Sequence, residues 1–276
     1  MLEPACVTLE LLVQDSTYAR TSSSPHSVQV RNLEGPGLRE PISIDGHEGE
    51  ILGFFGLVGA GRSELFRLIY GATAATAGSI AIGGMPLAPG NPRRAIAAGL
   101  ALCPEDRKDE GIVPLAGVQE NISLAHRNLK GGALIDGRGE TRLASELIAL
   151  MRVKTASAAT PIATLSGGNQ QKAIIARWLA ADARILLMDE PTRGIDIGAR
   201  SEIYAHMYRL ADAGRTILFA SSDMPEVMGV ADRVVVMREG RIAGIVERGD
   251  ATADHLLRLA LPDAGPAGTA RIQERP

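Results

Sequence analysis

The chain has 276 residues, of which 45% are hydrophobic and 22% charged, as expected of a soluble α/β protein with a substantial core. The formal net charge of -3 gives no electrostatic basis for a nucleic-acid partner. The two cysteines, Cys6 and Cys103, lie far apart in the sequence, which excludes a disulfide framework and favours a reducing cytosolic compartment. Glu3 and Glu10 stand where a secretory signal carries basic residues, and no apolar run approaches the about 20 residues of a membrane span. We therefore expect any membrane association to depend on a partner.

The order of apolar runs predicts an α/β fold. Residues 1 to 27 read as a linker or disordered segment, residues 28 to 51 as strands with turns, and residues 79 to 84 as a small strand pair. Helices are predicted over residues 93 to 99, 140 to 151, 203 to 211 and 225 to 230. Buried strands are predicted over residues 51 to 55, 100 to 103, 185 to 188, 217 to 220 and 234 to 237. The last of these strands is expected to form a hairpin with residues 242 to 246. This order predicts a parallel sheet flanked by helices, with antiparallel β elements at its start and end. A mainly helical subdomain is expected at about residues 112 to 164 of a domain spanning 28 to 261, and residues 262 to 276 read as a disordered tail.

A glycine-rich loop follows the predicted strand at residues 51 to 55 and precedes a run with helical spacing. That context fits a phosphate loop of the pattern G-x-x-x-x-G-K-[ST], in which glycines let the backbone close around phosphates and Ser63 is placed for Mg²⁺. The lysine is replaced by Arg62, whose planar fork is bulkier and should alter the reach to the β and γ phosphates. A glycine turn without a ligand is the plainer interpretation. The predicted nucleotide-binding residues of this loop are Gly56, Gly59, Ala60, Gly61, Arg62, Ser63 and Glu64.

Two further motifs follow in the second half of the chain. A Ser-Gly-Gly turn that opens a helix can present backbone N–H groups and a hydroxyl to an anion, and it occurs here as Ser166, Gly167 and Gly168, followed by Gln170. Asp189 and Glu190 end a buried strand and offer a metal carboxylate beside a water-activating one. Plainer interpretations are that Ser166 caps a helix, with Gln170 near the capping-box position, and that Glu190 is a solvated strand end.

Together these motifs resemble the nucleotide-binding domain of ABC transporters. Residues 28 to 261 look like the second, C-terminal nucleotide-binding domain of the tandem ATPases that drive bacterial monosaccharide import. The segments 56 to 65, 102 to 108 and 189 to 196 are particularly similar to the L-arabinose import group. The resemblance implies ATP and Mg²⁺ as cofactors. It also implies a second nucleotide-binding domain with an intact phosphate loop, transmembrane permease subunits and, indirectly, a periplasmic sugar-binding protein as partners, at the cytoplasmic face of the inner membrane.

The resemblance also assigns roles to residues. Asp189 would hold Mg²⁺ through water and Glu190 would polarise the attacking water, with Ser63 and Glu105 as further metal contacts. Glu105 stands where the family generally has glutamine, and Ser222 stands where most members have a histidine that contacts the γ-phosphate. The signature at Ser166 to Gln170 would reach the nucleotide of the other domain. Because Arg62, Glu105 and Ser222 all belong to this chain's own pocket, we expect that pocket to turn ATP over slowly or not at all.

Two alternatives stay open at this point. One is a catalytically silent module that binds nucleotide only to hold a dimer together. The other is an ABC ATPase without a transport role, although the long coiled-coil insertions or basic tails it would need are missing from the sequence. An adenine-stacking aromatic is expected between Val30 and Gly37, and that segment contains none. Arg107 and Lys108 are expected on a solvated charged face rather than in a phosphate clamp.

Overall fold

A computed structural model describes residues 25 to 130 and 136 to 262. The predicted linker therefore lies almost wholly outside the described residues, and so does all but the first residue of the predicted tail. The strands are β1 His26–Glu34, β2 Ile42–His47, β3 Ile51–Phe55, β4 Ala77–Ile82, β5 Met85–Leu87, β6 Leu100–Cys103, β7 Ile185–Asp189, β8 Thr216–Ser221, β9 Arg233–Arg238 and β10 Arg241–Glu247. The α-helices are α1 Arg62–Tyr70, α2 Pro92–Ala97, α3 Val118–Lys130, α4 Gly137–Leu150, α5 Gly167–Ala180, α6 Ile197–Asp212, α7 Met224–Val230 and α8 Ala253–Ala260.

The larger sheet has six strands in the order β10-β9-β3-β8-β7-β6. Its five strands from β9 to β6 run parallel, and β10 closes the edge as an antiparallel hairpin with β9. Every residue of β3, β7 and β8 is buried, as expected for parallel strands that are covered on both faces. The predicted parallel sheet and its terminal hairpin are confirmed.

A second, four-stranded antiparallel sheet has the order β2-β1-β4-β5. Its apolar residues face the larger sheet and α1, where Val28, Val30 and Leu33 are fully buried. Strand β3 divides its side chains between two cores because successive residues of a strand point to opposite faces. Leu52 and Phe54 pack toward the smaller sheet and α1, and Ile51 and Phe55 toward the helices on the other face.

Helices α3 and α4 pack on α5 and on each other. Arg177 of α5 joins this group: its buried guanidinium donates to the backbone oxygens of Asn121 (2.7 Å) and Gly111 (2.8 Å) and to the side-chain oxygen of Asn121 (3.0 Å). At the end of α4, Leu147 is buried whereas Leu150 is 56% exposed. Among the described residues, no helix combines the length and the apolar character needed to cross a bilayer.

Candidate functional site

Four loops meet at one edge of the six-stranded sheet. They follow the carboxyl ends of β3, β6, β7 and β8 and carry, in that order, the glycine-rich loop, Glu105, Glu190 and Ser222. Ligands of parallel α/β sheets bind at this edge, because the loops that leave neighbouring strands converge there. The cavity between the loops has a volume of about 720 Å³. The predicted residues that line it are Gly59, Ala60, Gly61, Arg62, Ser63, Glu64, Glu105, Glu190 and Ser222.

The glycine-rich loop is shaped to receive an anion. Gly59 and Gly61 have φ angles of 80° and 96°, a left-handed region that side chains disfavour. Gly61 precedes the first residue of α1 and provides no side-chain cap, so the N–H groups of the first turn are left to face the cavity. Gly56 has a packing role instead, because an added Cβ would lie 2.5 Å from the backbone oxygen of Met237.

Arg62 turns toward the acidic end of β7. Its Nη2 lies 3.2 Å from Oε1 of Glu190, and the two side chains are only 9% and 10% exposed. The same Glu190 oxygen accepts the backbone N–H of Ser222 at 2.8 Å. Glu190 is thus a buried, paired residue, and its interpretation as a solvated strand end is wrong. The other terminal nitrogen of Arg62, Nη1, is buried without a hydrogen-bond partner.

Asp189 is the last residue of β7 and is hydrogen-bonded to Ser63. Burial raises its pKa to about 6 against the opposing effects of that hydrogen bond and of the nearby Arg62 charge. Its Oδ1 is buried and has no hydrogen-bond partner. Mg²⁺ is usually held by one or two carboxylates together with hydroxyl, water and phosphate oxygens. The hydroxyl of Ser63 beside an orphaned carboxylate oxygen fits such an ion.

Glu190 also has a strained backbone, with a φ of 45° that non-glycine residues rarely adopt. Behind it, Glu226 joins the ends of β7 and β8: it accepts hydrogen bonds from the hydroxyls of Thr192 (2.9 Å) and Ser221 (2.6 Å). Burial raises the pKa of Glu226 to about 7 against these two hydrogen bonds. The network ties the turn after Glu190 to the end of β8.

The structure adds residues that sequence reasoning missed. Arg193 lines the cavity and forms an ion pair with Glu105. Its place directly after the Asp-Glu-Pro-Thr segment was the signal that could have found it. Arg107 is not on a solvated face as predicted, because it is half-buried and its Nη1 donates to the backbone oxygen of Arg193 at 2.8 Å, whereas Lys108 is exposed. The other cavity-lining residues not predicted are Pro36, Gly37, Val58, Arg67 and Thr73.

The signature residues are absent from the lining of this cavity, among the residues that the structure describes. Ser166 is the N-cap of α5, but its hydroxyl accepts from the side chain of Asn169 (2.9 Å) and caps no backbone N–H. The side-chain amide of Gln170 is buried and donates to backbone oxygens, including that of Leu165 at 3.1 Å. The predicted capping box is therefore wrong, and the amide nitrogen of Gln170 is already engaged within the chain. Gly168 is needed for packing, because an added Cβ would lie 2.6 Å from the Cβ of Ala199.

Residues 40–193 match the family model described as ABC transporter, which is more than half of the chain. The chain belongs to the ABC transporter family. The relatives of this ABC cassette include the arabinose import ATP-binding proteins AraG 2 of Burkholderia thailandensis and AraG of Azospirillum brasilense. The first is 56% identical over 238 residues, which cover 86% of this chain and 45% of the relative. The second is 55% identical over 237 residues, which cover 85% of this chain and 46% of the relative. The AraG of Vibrio parahaemolyticus is 50% identical over 88% of this chain and 49% of its own. The chain therefore spans about half the length of these curated relatives.

Solved structures show the same fold. A nucleotide-free ATP-binding cassette from an ABC transporter superposes with a TM-score of 0.74 at 18% identity, covering 86% of this chain and all of that one (100%). A dimeric cassette in a post-hydrolysis state, bound to ADP and phosphate, gives a TM-score of 0.69 at 21% identity over 80% of this chain and 98% of that one. The predicted α/β fold, a phosphate-loop core of ABC type, is confirmed.

Proposed function

We propose that this cassette is the ATP-binding subunit, or half, of an importer that couples ATP binding and hydrolysis to the uptake of a monosaccharide, L-arabinose. The names of relatives that are 50–56% identical over most of the chain support this sugar. Transmembrane permease subunits would carry the sugar, and a periplasmic binding protein would deliver it. The cassette would then lie at the cytoplasmic face of the bacterial inner membrane, held there by the permease.

In this proposal the glycine-rich loop holds the phosphates of ATP by its backbone N–H groups, as the left-handed φ angles of Gly59 and Gly61 permit. Ser63 and Asp189 hold Mg²⁺, supported by the orphaned Oδ1 of Asp189. The ion would neutralise charge on the phosphates and so favour phosphoryl transfer. Glu190 orients and polarises the attacking water, which requires a free carboxylate oxygen that faces the cavity.

We further propose that this site turns ATP over slowly, and the ion pair between Arg62 and Glu190 is the observation that carries this proposal. A general base must accept a hydrogen bond from water, yet Oε1 of Glu190 already contacts both Arg62 (3.2 Å) and the N–H of Ser222 (2.8 Å). Ser222 adds only a short neutral hydroxyl where the family usually has imidazole. The contacts of Glu190 lower the reactivity of the base, the serine leaves the γ-phosphate without a cationic contact, and neither feature prevents nucleotide binding.

The signature segment would then serve a second nucleotide-binding domain whose phosphate loop retains its lysine. The N-terminus of α5 supports this role, because the Ser166 hydroxyl caps none of the backbone N–H groups of the first turn. Those groups are free to bind a phosphate that another chain or domain presents.

The experiment compares Mg-ATP hydrolysis by the chain alone, by the chain with a partner domain that has an intact phosphate loop, and by the same mixture with Glu190→Gln in this chain. We expect slow turnover by the chain alone and at least tenfold faster turnover in the mixture, which corresponds to a fall of about 1.4 kcal/mol in the activation free energy. Glu190→Gln should have little effect on the mixture. Brisk turnover by the isolated chain would overturn the slow-site proposal.

A catalytically silent dimerisation module is the second candidate, and the same Arg62–Glu190 pair favours it. Calorimetric ATP affinity with and without Mg²⁺, beside turnover of the wild type and the Glu190→Gln variant, separates the two candidates. A slow site loses its residual turnover in the variant, whereas a silent module shows none in either protein.

The identity of the sugar is tested by transport. Uptake of labelled L-arabinose by vesicles that contain the chain, its partner domain and the permease is compared with uptake of labelled D-ribose and D-xylose.

A further inference from the structure

Every arginine in the lining of the cavity has a glutamate partner. Arg62 pairs with Glu190, and the other two, Arg67 and Arg193, pair with Glu110 and Glu105. A nucleoside triphosphate brings several negative charges into this space. It can gain a charge-assisted hydrogen bond from an arginine only if that arginine leaves, or shares, its glutamate.

Burial decides which pair can open. Arg62 and Glu190 are only 9% and 10% exposed, so separating them would leave an unpaired charge in a dry environment. Arg193 and Glu105 are 67% and 38% exposed, and Arg67 and Glu110 are 48% and 45% exposed. Ion pairs at such exposure contribute little to stability because water replaces the lost partner. The two exposed pairs can therefore open at low cost.

Position decides between the two exposed arginines. Phosphate loops hold the α and β phosphates on the backbone at the start of the helix, so the third phosphate extends toward the strand ends that carry the acidic pair. Arg67 lies about 9 Å further along α1 than Gly61, measured along the helix axis, and so away from the loop. Arg193 follows β7 and lines the same space as Glu190 and Ser222.

The backbone at Arg193 is already fixed. Its N–H donates to the backbone oxygen of Glu190 at 3.1 Å, and its own backbone oxygen accepts Nη1 of Arg107 at 2.8 Å. Only the long side chain remains free to change partner. Binding would therefore order one side chain and leave the loop unchanged, which limits the entropic cost of the exchange.

We infer that Arg193 is a nucleotide-binding residue that exchanges Glu105 for the terminal phosphate of ATP. This inference rests on the proposed ATP-binding function and adds a phosphate-binding residue that no motif assigns. Arg193 supplies a cation at the end of β7, close to the position where Ser222 offers only a hydroxyl. The exchange also releases Glu105, so binding of the third phosphate leaves an unpaired carboxylate on the loop after β6.

The test is isothermal titration calorimetry of the 276-residue chain with ATP and with ADP, each with Mg²⁺ and with EDTA. We expect Arg193→Gln to weaken ATP binding by about tenfold or more and ADP binding by less than about twofold, since a charge-assisted hydrogen bond to the third phosphate is lost. Arg193→Lys should recover part of the loss. Arg67→Gln is the matched control from the same cavity and should leave the ratio of ATP to ADP affinity unchanged.

A double-mutant cycle identifies the exchange itself. Glu105→Gln should tighten ATP binding, because Arg193 no longer has to leave a carboxylate, and this gain should vanish when Arg193→Gln is added. A gain that persists in the double variant would mean that Glu105 acts only through its charge, and the inference would fail. An equal loss of ATP and ADP affinity in Arg193→Gln would also overturn it, while the proposed function would survive. Failure of the wild-type chain to bind either nucleotide would instead refute the proposed function.

Discussion

Removal of Arg62 should destabilise the nucleotide-free protein because it leaves the buried carboxylate of Glu190 without its cationic partner. With Nη2 and Oε1 3.2 Å apart and an effective dielectric constant of about 20, Coulomb's law gives an attraction of about 5 kcal/mol. The desolvation of two buried charges offsets most of this attraction, so the pair as a whole adds little to stability. Loss of one partner is different, since it leaves the other charge buried and costs about 3–5 kcal/mol.

We therefore expect Arg62→Met and Glu190→Gln to be strongly non-additive. Arg62→Met alone should lower the free energy of unfolding by about 3 kcal/mol, and the double variant should lose at least about 2 kcal/mol less than the sum of the two single variants. The assay is urea unfolding at neutral pH without nucleotide or Mg²⁺, followed by far-ultraviolet circular dichroism.

An exposed pair serves as the matched control. Arg142 and Glu146 lie one helical turn apart with 83% and 60% of their side chains exposed, and the same two substitutions there should couple by less than about 0.5 kcal/mol. If the Arg62 and Glu190 variants were also additive within about 0.5 kcal/mol, the pair would not be energetically coupled. Arg62 would then not hold Glu190, the proposed base, in a paired state.

Three further predictions concern the framework of the site. Arg177→Met should lower the free energy of unfolding by about 3 kcal/mol or more in urea titrations, because it leaves buried oxygens without their charged donor; a loss no larger than that of Arg142→Met would contradict this. Gly168→Ala should cost about 1–3 kcal/mol in the same assay, since its Cβ would lie 2.6 Å from that of Ala199, and an unchanged unfolding midpoint would show that the helices separate freely. Burial raises the pKa of Glu226 from 4.5 to about 7, so the folded state retains a proton that the unfolded state has lost, and stability falls as the pH rises through this window. Glu226→Gln should therefore reduce the difference between the unfolding free energies at about pH 5 and about pH 8, and parallel pH profiles for wild type and variant would refute the assignment.

The family and the main elements could be read from short segments. The strand at residues 100 to 103 was predicted at the bounds it has, and the strand pair near residues 79 to 84 appears as β4 and β5. These predictions succeeded because periodicity and turn chemistry act over a few neighbouring residues. The exposure of Leu150 cannot be read from the sequence, since it depends on which elements cover that end of α4.

Short sequence patterns are enough to predict the fold family and the loops that form the site, because glycine turns, buried strands and helix starts depend on local chemistry. They also locate the three departures at Arg62, Glu105 and Ser222. The pairing of charges follows from the three-dimensional arrangement instead: Arg62 meets Glu190, and Glu105 meets Arg193. Those partners come from different strand ends, and their pairing depends on the order of strands in the sheet and on burial, which no local pattern encodes.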